Sequence, residues 1–492
     1  MGAESFPFRE SFFKDLPEAF YAPAEPSPAP APRWAAFNRD FAESLGLGRN
    51  ADTPEMLNWL SGGAPPAGRQ NIALAYAGHQ FGHWNPMMGD GRAALVGEVH
   101  AATGVYDVHL KGSGPTVFAR RGDGRATLAA MLREYILGEA MAGLNIPATR
   151  ALAVTLTGAR VLRTRAEPGA VLTRIARSHV RVGTFQYAAA QDRKAGQGPV
   201  LTKILLDACI ARHFPQAAQA ENPAVAFYDA VLEGQARLIA RWMLVGFIHG
   251  VMNTDNMSIA CETIDFGPCA FIDGFRADKT FSSIDEQGRY AYNQQPAIGG
   301  WNLARLAEAL LPLLGPDQEG AIAAAQASLD RYQEIYGEAL KRGLEGKLGL
   351  RADNPDNAGL IGEMWALLNE SRADFTLFFR RLTQIAAGAD PAQWLALFGE
   401  ARPQADAFLA NWRELGANDR LTQMKGANPI VIARNHRVEQ ALAAATEGDF
   451  GPFEKLCVIL RRPFDEPPSG GSEDYEAPPA KDEEVQQTFC GT

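Results

Sequence analysis

GFIHGVMNTDNMSIACETIDFGPCAFID, residues 246–273, decides how the rest of the chain is read. A helical run ends at its start, so Asp255 and Asn256 fall in a loop. An apolar segment that reads as a strand follows, and Asp265-Phe266-Gly267 makes the next turn. Carboxylate and amide oxygens are hard donors. Mg²⁺ takes a few of them from protein and completes its shell with water and phosphate oxygens, so Asn256 and Asp265 suffice as metal ligands. Asp255 is then left to act as a base.

Toward the N-terminus, residues 93–112 alternate as two strands, AALVGEVH and VYDVHLKG, around an Ala-Thr-Gly turn. In the second strand Tyr106, Val108 and Leu110 share one face, and Asp107, His109 and Lys111 the other. Residues 120–125 form a polar, glycine-containing loop, and Thr127 caps a helix to about Gly143 that carries Glu134. A strand lysine, a helix glutamate and a later Asp/Asn/Asp set are the parts that ATP chemistry requires. The lysine neutralises phosphate charge, the glutamate fixes the lysine, and the oxygen ligands hold the cation. Protein kinases show this order, but they separate the catalytic aspartate from the metal-binding asparagine by five positions. Here the two are adjacent, and His249 is followed by glycine, so there is no His-Arg-Asp triplet. Taken singly, Lys111 also reads as a surface lysine and Glu134 as a solvated helix residue.

A second constellation strengthens the joint reading. Gly89-Asp90-Gly91-Arg92 precedes the hairpin, Asp123-Gly124 follows Lys111, and Arg174 and Arg181 lie within VLTRIARSHVRVGTFQY. Glycines allow backbone to approach phosphate, and arginines bind phosphate oxygens bidentately. Each piece alone reads equally as a turn or as surface charge.

Segments 151–156 and 171–175 read as further strands, 201–214 and 229–248 as helices, and nearly everything from 302 to 446 as helix. The fold expected is α+β, a kinase-like bilobal arrangement with an antiparallel-sheet N-lobe, a helical C-lobe and additional helices in the C-terminal half. Residues 1–70 form an arm and flanking extension, of which Pro/Ala-rich 21–32 is extended. Residues 71–200 form the N-lobe and 201–464 the C-lobe. Residues 465–492, with EPP, SGGSEDYE and Cys490, form a disordered acidic tail.

With 492 residues, 46% of them hydrophobic and 21% charged, the chain has ample material for a large core. A net charge of −10 argues against a general nucleic-acid or anionic-membrane binder. Five scattered cysteines without a CxxC pair indicate neither a disulfide scaffold nor structural zinc, and no apolar run spans a bilayer. A cytoplasmic monomer is the expectation.

The blocks YAGHQFGHWNPMMGDGRAALVGEV, DVHLKGSGPTVFARRGDGRATL and HGVMNTDNMSIACETIDFGP resemble the selenoprotein O family, strongly over about residues 5–310 and more weakly to 427–449. The resemblance implies a kinase-related fold that binds ATP in a flipped orientation and transfers AMP to Ser, Thr or Tyr hydroxyls of proteins, with release of pyrophosphate. UTP is an alternative donor. It further implies that Lys111, Arg174 and Arg181 hold phosphates, that Glu134 orients Lys111, and that Gly89, Gly91, Arg92, Asp123 and Gly124 line the nucleotide. Asp255 is the proton acceptor, and Asn256 and Asp265 bind Mg²⁺ or Mn²⁺. Family members often pair a C-terminal cysteine or selenocysteine with a cysteine after the Asp-Phe-Gly turn. Cys490 fits the first half of that pair, but AFIDGFRADKTFSSIDEQ holds no cysteine, leaving Cys269 and Cys261 as the nearest candidates. The other readings of the same residues are phosphotransfer and a non-catalytic ATP-binding scaffold.

Overall fold

The computed structural model describes residues 7–65, 68–466 and 473–489. Its strands are β1 (Tyr21–Pro23), β2 (Arg33–Phe37), β3 (Ile72–Leu74), β4 (Gly78–Gln80), β5 (His83–Asn85), β6 (Ala93–Ala101), β7 (Gly104–Lys111), β8 (Ala126–Thr127), β9 (Arg150–Leu162), β10 (Ala166–Ala176), β11 (Phe247–Ile248) and β12 (Ala270–Phe271). The main sheet is antiparallel in the order β1-β3-β6-β7-β10-β9-β2, with β8 added beside β10. The hairpin expected at 93–112 is β6–β7.

Both rims of this sheet come from one short stretch of chain. Six strand spacings, about 29 Å, separate β1 from β2, and the ten residue steps from Pro23 to Arg33 span about 31 Å when extended. Proline-rich 24–32 therefore crosses the sheet as a strap. On the way it donates from Ala24 N to Asn71 O (2.9 Å), Ser27 N to Ser113 O (2.7 Å) and Ala31 N to Thr157 O (3.0 Å).

One face of the sheet packs Val108, Leu110, Leu152 and Val171 against Phe41, Met56 and Leu60 of two N-terminal helices. The other face receives the helix Leu128–Gly143, whose Leu132 and Ile136 share a core with Val154, Leu172, Phe247 and Phe271, and with Ile432 and Leu456 near the C-terminal end. Thr127 caps that helix as its sequence predicts, accepting from Ala130 N at 3.4 Å. The remainder is helical, organised around Pro223–Leu244, Gln295–Leu314 and Gln318–Leu348.

Three expectations are corrected. The helix read over 229–248 starts earlier, at Pro223, because Asn222 caps it by accepting from Ala224 N and Val225 N. It stops at Leu244, before β11. The apolar segment 257–264 is not a strand: a turn closes from Cys261 N to Ser258 O, and its backbone makes isolated bridges at Ser258 and Thr263 instead of a ladder. The hairpin-like pairing is instead β11 with β12. The acidic tail, expected to be mobile, lies against the body over 473–489. There Arg434 donates to Glu476 O, Gln440 to Glu483, and Thr488 N to Phe281 O. Arginines supply the partners that composition alone does not reveal. Cys490 lies outside the described residues.

Candidate active site

A cleft of about 610 Å³ opens between the sheet and the helical part, and its lining unites residues spread from Tyr76 to Ile284. Gly89, Gly91, Arg92, Lys111, Asp123, Gly124, Arg174, Arg181, Asp255, Asn256 and Asp265 all border it. Glu134 stands behind Lys111, outside the lining.

Lys111 is the last residue of β7, paired with Ala93 on one side and Leu172 on the other, so its direction is fixed by strands on both flanks. Its ammonium is bonded to Glu134 Oε1 and reaches Asp265 Oδ1 at 2.5 Å. Lys111 and Glu134 are buried, whereas the Asp265 side chain is 29% exposed, so the triad opens to the cleft at Asp265. Asp265 adopts φ +69°, a left-handed conformation uncommon for a non-glycine residue. Burial would raise its carboxyl, but Lys111 and Arg174 outweigh that and hold it well below the usual range.

Asp255 sits in the short 3₁₀ turn Thr254–Asn256 and is almost fully buried. Its Oδ1 has no hydrogen-bond partner within the chain. Burial pushes its carboxyl up to about 7, against the pull of Arg181. A carboxylate poised near neutrality with an unsatisfied oxygen is suited to accepting a proton. The adjacent Asn256 donates Nδ2 to Val251 O at 3.1 Å, so its amide nitrogen is committed and Oδ1 is the atom available to a cation.

Among the described residues no group of three His, Cys, Asp or Glu is arranged to hold a metal. A cation here would therefore rest on Asn256 and Asp265 with phosphate and water completing its shell. That mixed oxygen pair fits Mg²⁺ or Mn²⁺ and suits a soft metal poorly.

The glycine turn also answers to packing within the chain. Gly89 has φ +69°, and a Cβ there would meet the Phe118 ring at 2.3 Å, so the turn is glycine because the 113–125 loop packs onto it. Gly124, φ +66°, is equally closed, with a Cβ falling 2.1 Å from Pro115 N. Asp123 pairs with Arg163 at 2.8 Å and accepts from Arg125 N, so its carboxylate holds the loop at the cleft rim. Arg92 lines the cleft, and its charge helps keep Asp265 ionised. Arg174 and Arg181 are both buried, and the Arg181 guanidinium lies 4.3 Å over the Tyr76 ring and 3.6 Å from Asp90.

Sequence reasoning missed Asp90 and His179 as members of this site, and placed His109 only on a polar strand face. That face is in fact buried, with Asp107 and His109 fully enclosed because charged partners from Arg174 and Arg212 meet them. Asp90 was legible as the acid inside the Gly89–Arg92 turn. His179 carries no signal apart from its position between the two arginines. The described cysteines are unpaired, and burial pushes Cys269 upward and Cys261 up to about 12, which makes them poor nucleophiles.

The fold is mixed α/β with a cleft bordered by Lys111 and several arginines, and the comparisons place the chain among nucleotidyltransferases. Over 500 residues the chain is 49% identical to "Protein nucleotidyltransferase YdiU" of Rhodopseudomonas palustris, covering 100% of both chains. Proteins of the same description from Bradyrhizobium sp. (50% over 497 residues, 99% of each chain) and Agrobacterium fabrum (48% over 492 residues, 98% of this chain and 99% of the relative) match similarly. The family model "Protein adenylyltransferase SelO" matches residues 7–461, and the chain belongs to this family.

Proposed function

We propose that this nucleotidyltransferase moves AMP from ATP onto Ser, Thr or Tyr hydroxyls of proteins, releasing pyrophosphate. The observation that carries the reading is that Asp255, a buried carboxylate near neutrality with one unpartnered oxygen, lines the same cleft as Lys111 and Asp265. Asp255 accepts the hydroxyl proton as the oxygen attacks the α-phosphorus. The bond from that phosphorus to the bridging oxygen breaks, and the departing pyrophosphate keeps the electron pair. Lys111, Arg174 and Arg181 stabilise the charge that develops on it. Asn256 and Asp265 would hold Mg²⁺ or Mn²⁺, which supplies further neutralisation of phosphate charge. Gly89, Gly91, Arg92, Asp123 and Gly124 would border the nucleotide.

The architecture accords with a kinase-like bilobal plan. Residues 71–200, which carry the inner strands of the sheet, present Lys111 and Glu134, and the mainly helical 201–464 present Asp255, Asn256 and Asp265, with the cleft between. In this reading the enzyme works as a monomer in the cytoplasm. Among the described residues no helix is long and apolar enough to cross a membrane. Incubation with α-labelled or γ-labelled ATP tests the reaction. Protein labelled from the α position alone is the expected result, and labelling from γ alone would establish phosphotransfer instead.

A further inference from the structure

The surroundings of Arg174 raise a question that the proposed reaction leaves open. The residue is 3% exposed, and the direct partners of its guanidinium are two imidazoles: Nε donates to His179 Nε2 at 3.3 Å, and Nη2 to His109 Nδ1 at 3.2 Å. An arginine can only donate, so each of those ring nitrogens carries a lone pair. The ring protons must then sit on the opposite nitrogens, and each meets a carboxylate. His109 Nε2 lies 3.0 Å from Asp90 Oδ2, and His179 Nδ1 lies 3.0 Å from Asp107 Oδ2. Both carboxylates are themselves anchored, Asp90 by Leu74 N and Asp107 by Arg212. The two rings stack with centroids 4.3 Å apart. Burial and the neighbouring cations hold both histidines below their ordinary range, in keeping with neutral rings.

We propose that His109 and His179 are positioning residues that fix Arg174 for the nucleotide phosphates without neutralising it. A carboxylate would hold the guanidinium equally well, but it would compete with phosphate for the charge. Neutral lone pairs secure two of its three nitrogens, remove the cost of ordering a long side chain when ligand binds, and leave the positive charge to face the cleft. The fixed carboxylates stand one residue further back, where they set the tautomers. This inference rests on the reading that the cleft takes ATP with its phosphates at Arg174.

The test is a thermodynamic cycle on the full chain. His109→Phe and His179→Phe keep a ring and remove the lone pair. Each should weaken ATP binding about tenfold, leave adenosine binding within twofold, and cause no further loss in an Arg174→Ala background. His179→Gln, which offers a carbonyl to Arg174 and an amide to Asp107, should recover most of the loss. Equal losses for ATP and adenosine, or an undiminished loss in the Arg174→Ala background, would overturn the positioning role. Should the Phe variants not fold, ¹⁵N NMR of the wild-type histidines decides. Neutral rings protonated at His109 Nε2 and His179 Nδ1 at pH 7 are expected, and an imidazolium or the opposite tautomer at either position refutes the proposal. A wild-type chain that does not bind ATP would count against the proposed reaction, while the NMR result would still decide the histidines.

Discussion

Lys111 Nζ donates to Asp265 Oδ1 at 2.5 Å, joining the last residue of a sheet strand to a left-handed turn 154 positions further along the chain. One cation is therefore shared by the two halves of the cleft, and a phosphate arriving there meets a lysine already tethered on both sides. Asp265→Ala removes the acidic half of this pair together with a proposed metal ligand. Transfer should fall by at least about 10²-fold, and metal-dependent ATP binding should disappear. Calorimetric titration with and without a chelator checks this: chelation should weaken ATP binding to the wild-type chain and change nothing further in the variant.

Asp255 separates binding from chemistry. Asp255→Asn keeps the size of the side chain and removes its basicity, so turnover should fall by about 10²–10⁴-fold while ATP affinity stays within threefold. Single-turnover labelling beside equilibrium binding reports both quantities. Full turnover in the variant would end the assignment of Asp255 as base.

The loop over the cleft depends on Gly124. Gly124→Ala forces a Cβ to 2.1 Å from Pro115 N at φ +66°, and should cost about 1–3 kcal/mol with a matching fall in melting temperature and weaker ATP binding. Gly122→Ala, whose nearest contact would be Ala119 O at 3.2 Å, should be much milder. Comparing the two melting curves checks the claim.

Glu262 gives a pH signature away from the chemistry. It is buried, accepts from Arg177 N at 2.8 Å, and burial pushes its carboxyl up to about 8, with Arg177 and Asp107 as the charged neighbours. The folded chain holds a proton here that the unfolded chain releases near 4.5, so this contribution to stability is whole below that pH and fades as pH rises to about 8. Glu262→Gln should raise stability at pH 8 relative to the wild-type chain by on the order of 2 kcal/mol and have little effect at pH 5. Denaturant titrations at the two pH values decide it.

The parts of the site legible in the sequence were those whose residue type is dictated by ligand chemistry. Lys111, Asp255, Asn256 and Asp265 could be placed because phosphate and hard cations restrict which side chains can serve. The hairpin and the capped helix that bring Lys111 to Glu134 follow period-two and capping patterns within fifty residues. His179 was hidden because its role depends on Asp107 of β7, and pairing across a sheet leaves no local trace, whereas Asp90 stood in view inside the Gly89–Arg92 turn. Segment 257–264 misled because its apolar residues serve burial without alternation, held by the turn at Cys261 and by isolated bridges to Ala148 and Arg181, which lie outside any strand. The docked tail was obscured for a related reason: its composition is that of disorder, and Arg380 and Arg434, which meet it, lie far away in sequence.

The strap over 24–32 has a consequence for the timing of assembly during synthesis. β1 needs Ile72–Leu74 to pair with, and β2 needs the stretch Ala153–Leu156. A ribosome adding about 5–20 residues per second reaches Leu156 roughly 6–24 s after Phe37 has been added. For that interval β2 has no partner strand, although β1 can pair once Leu74 is made, and the proline-rich stretch, unable to donate at its prolines, is poorly suited to pairing with a wrong strand while it waits.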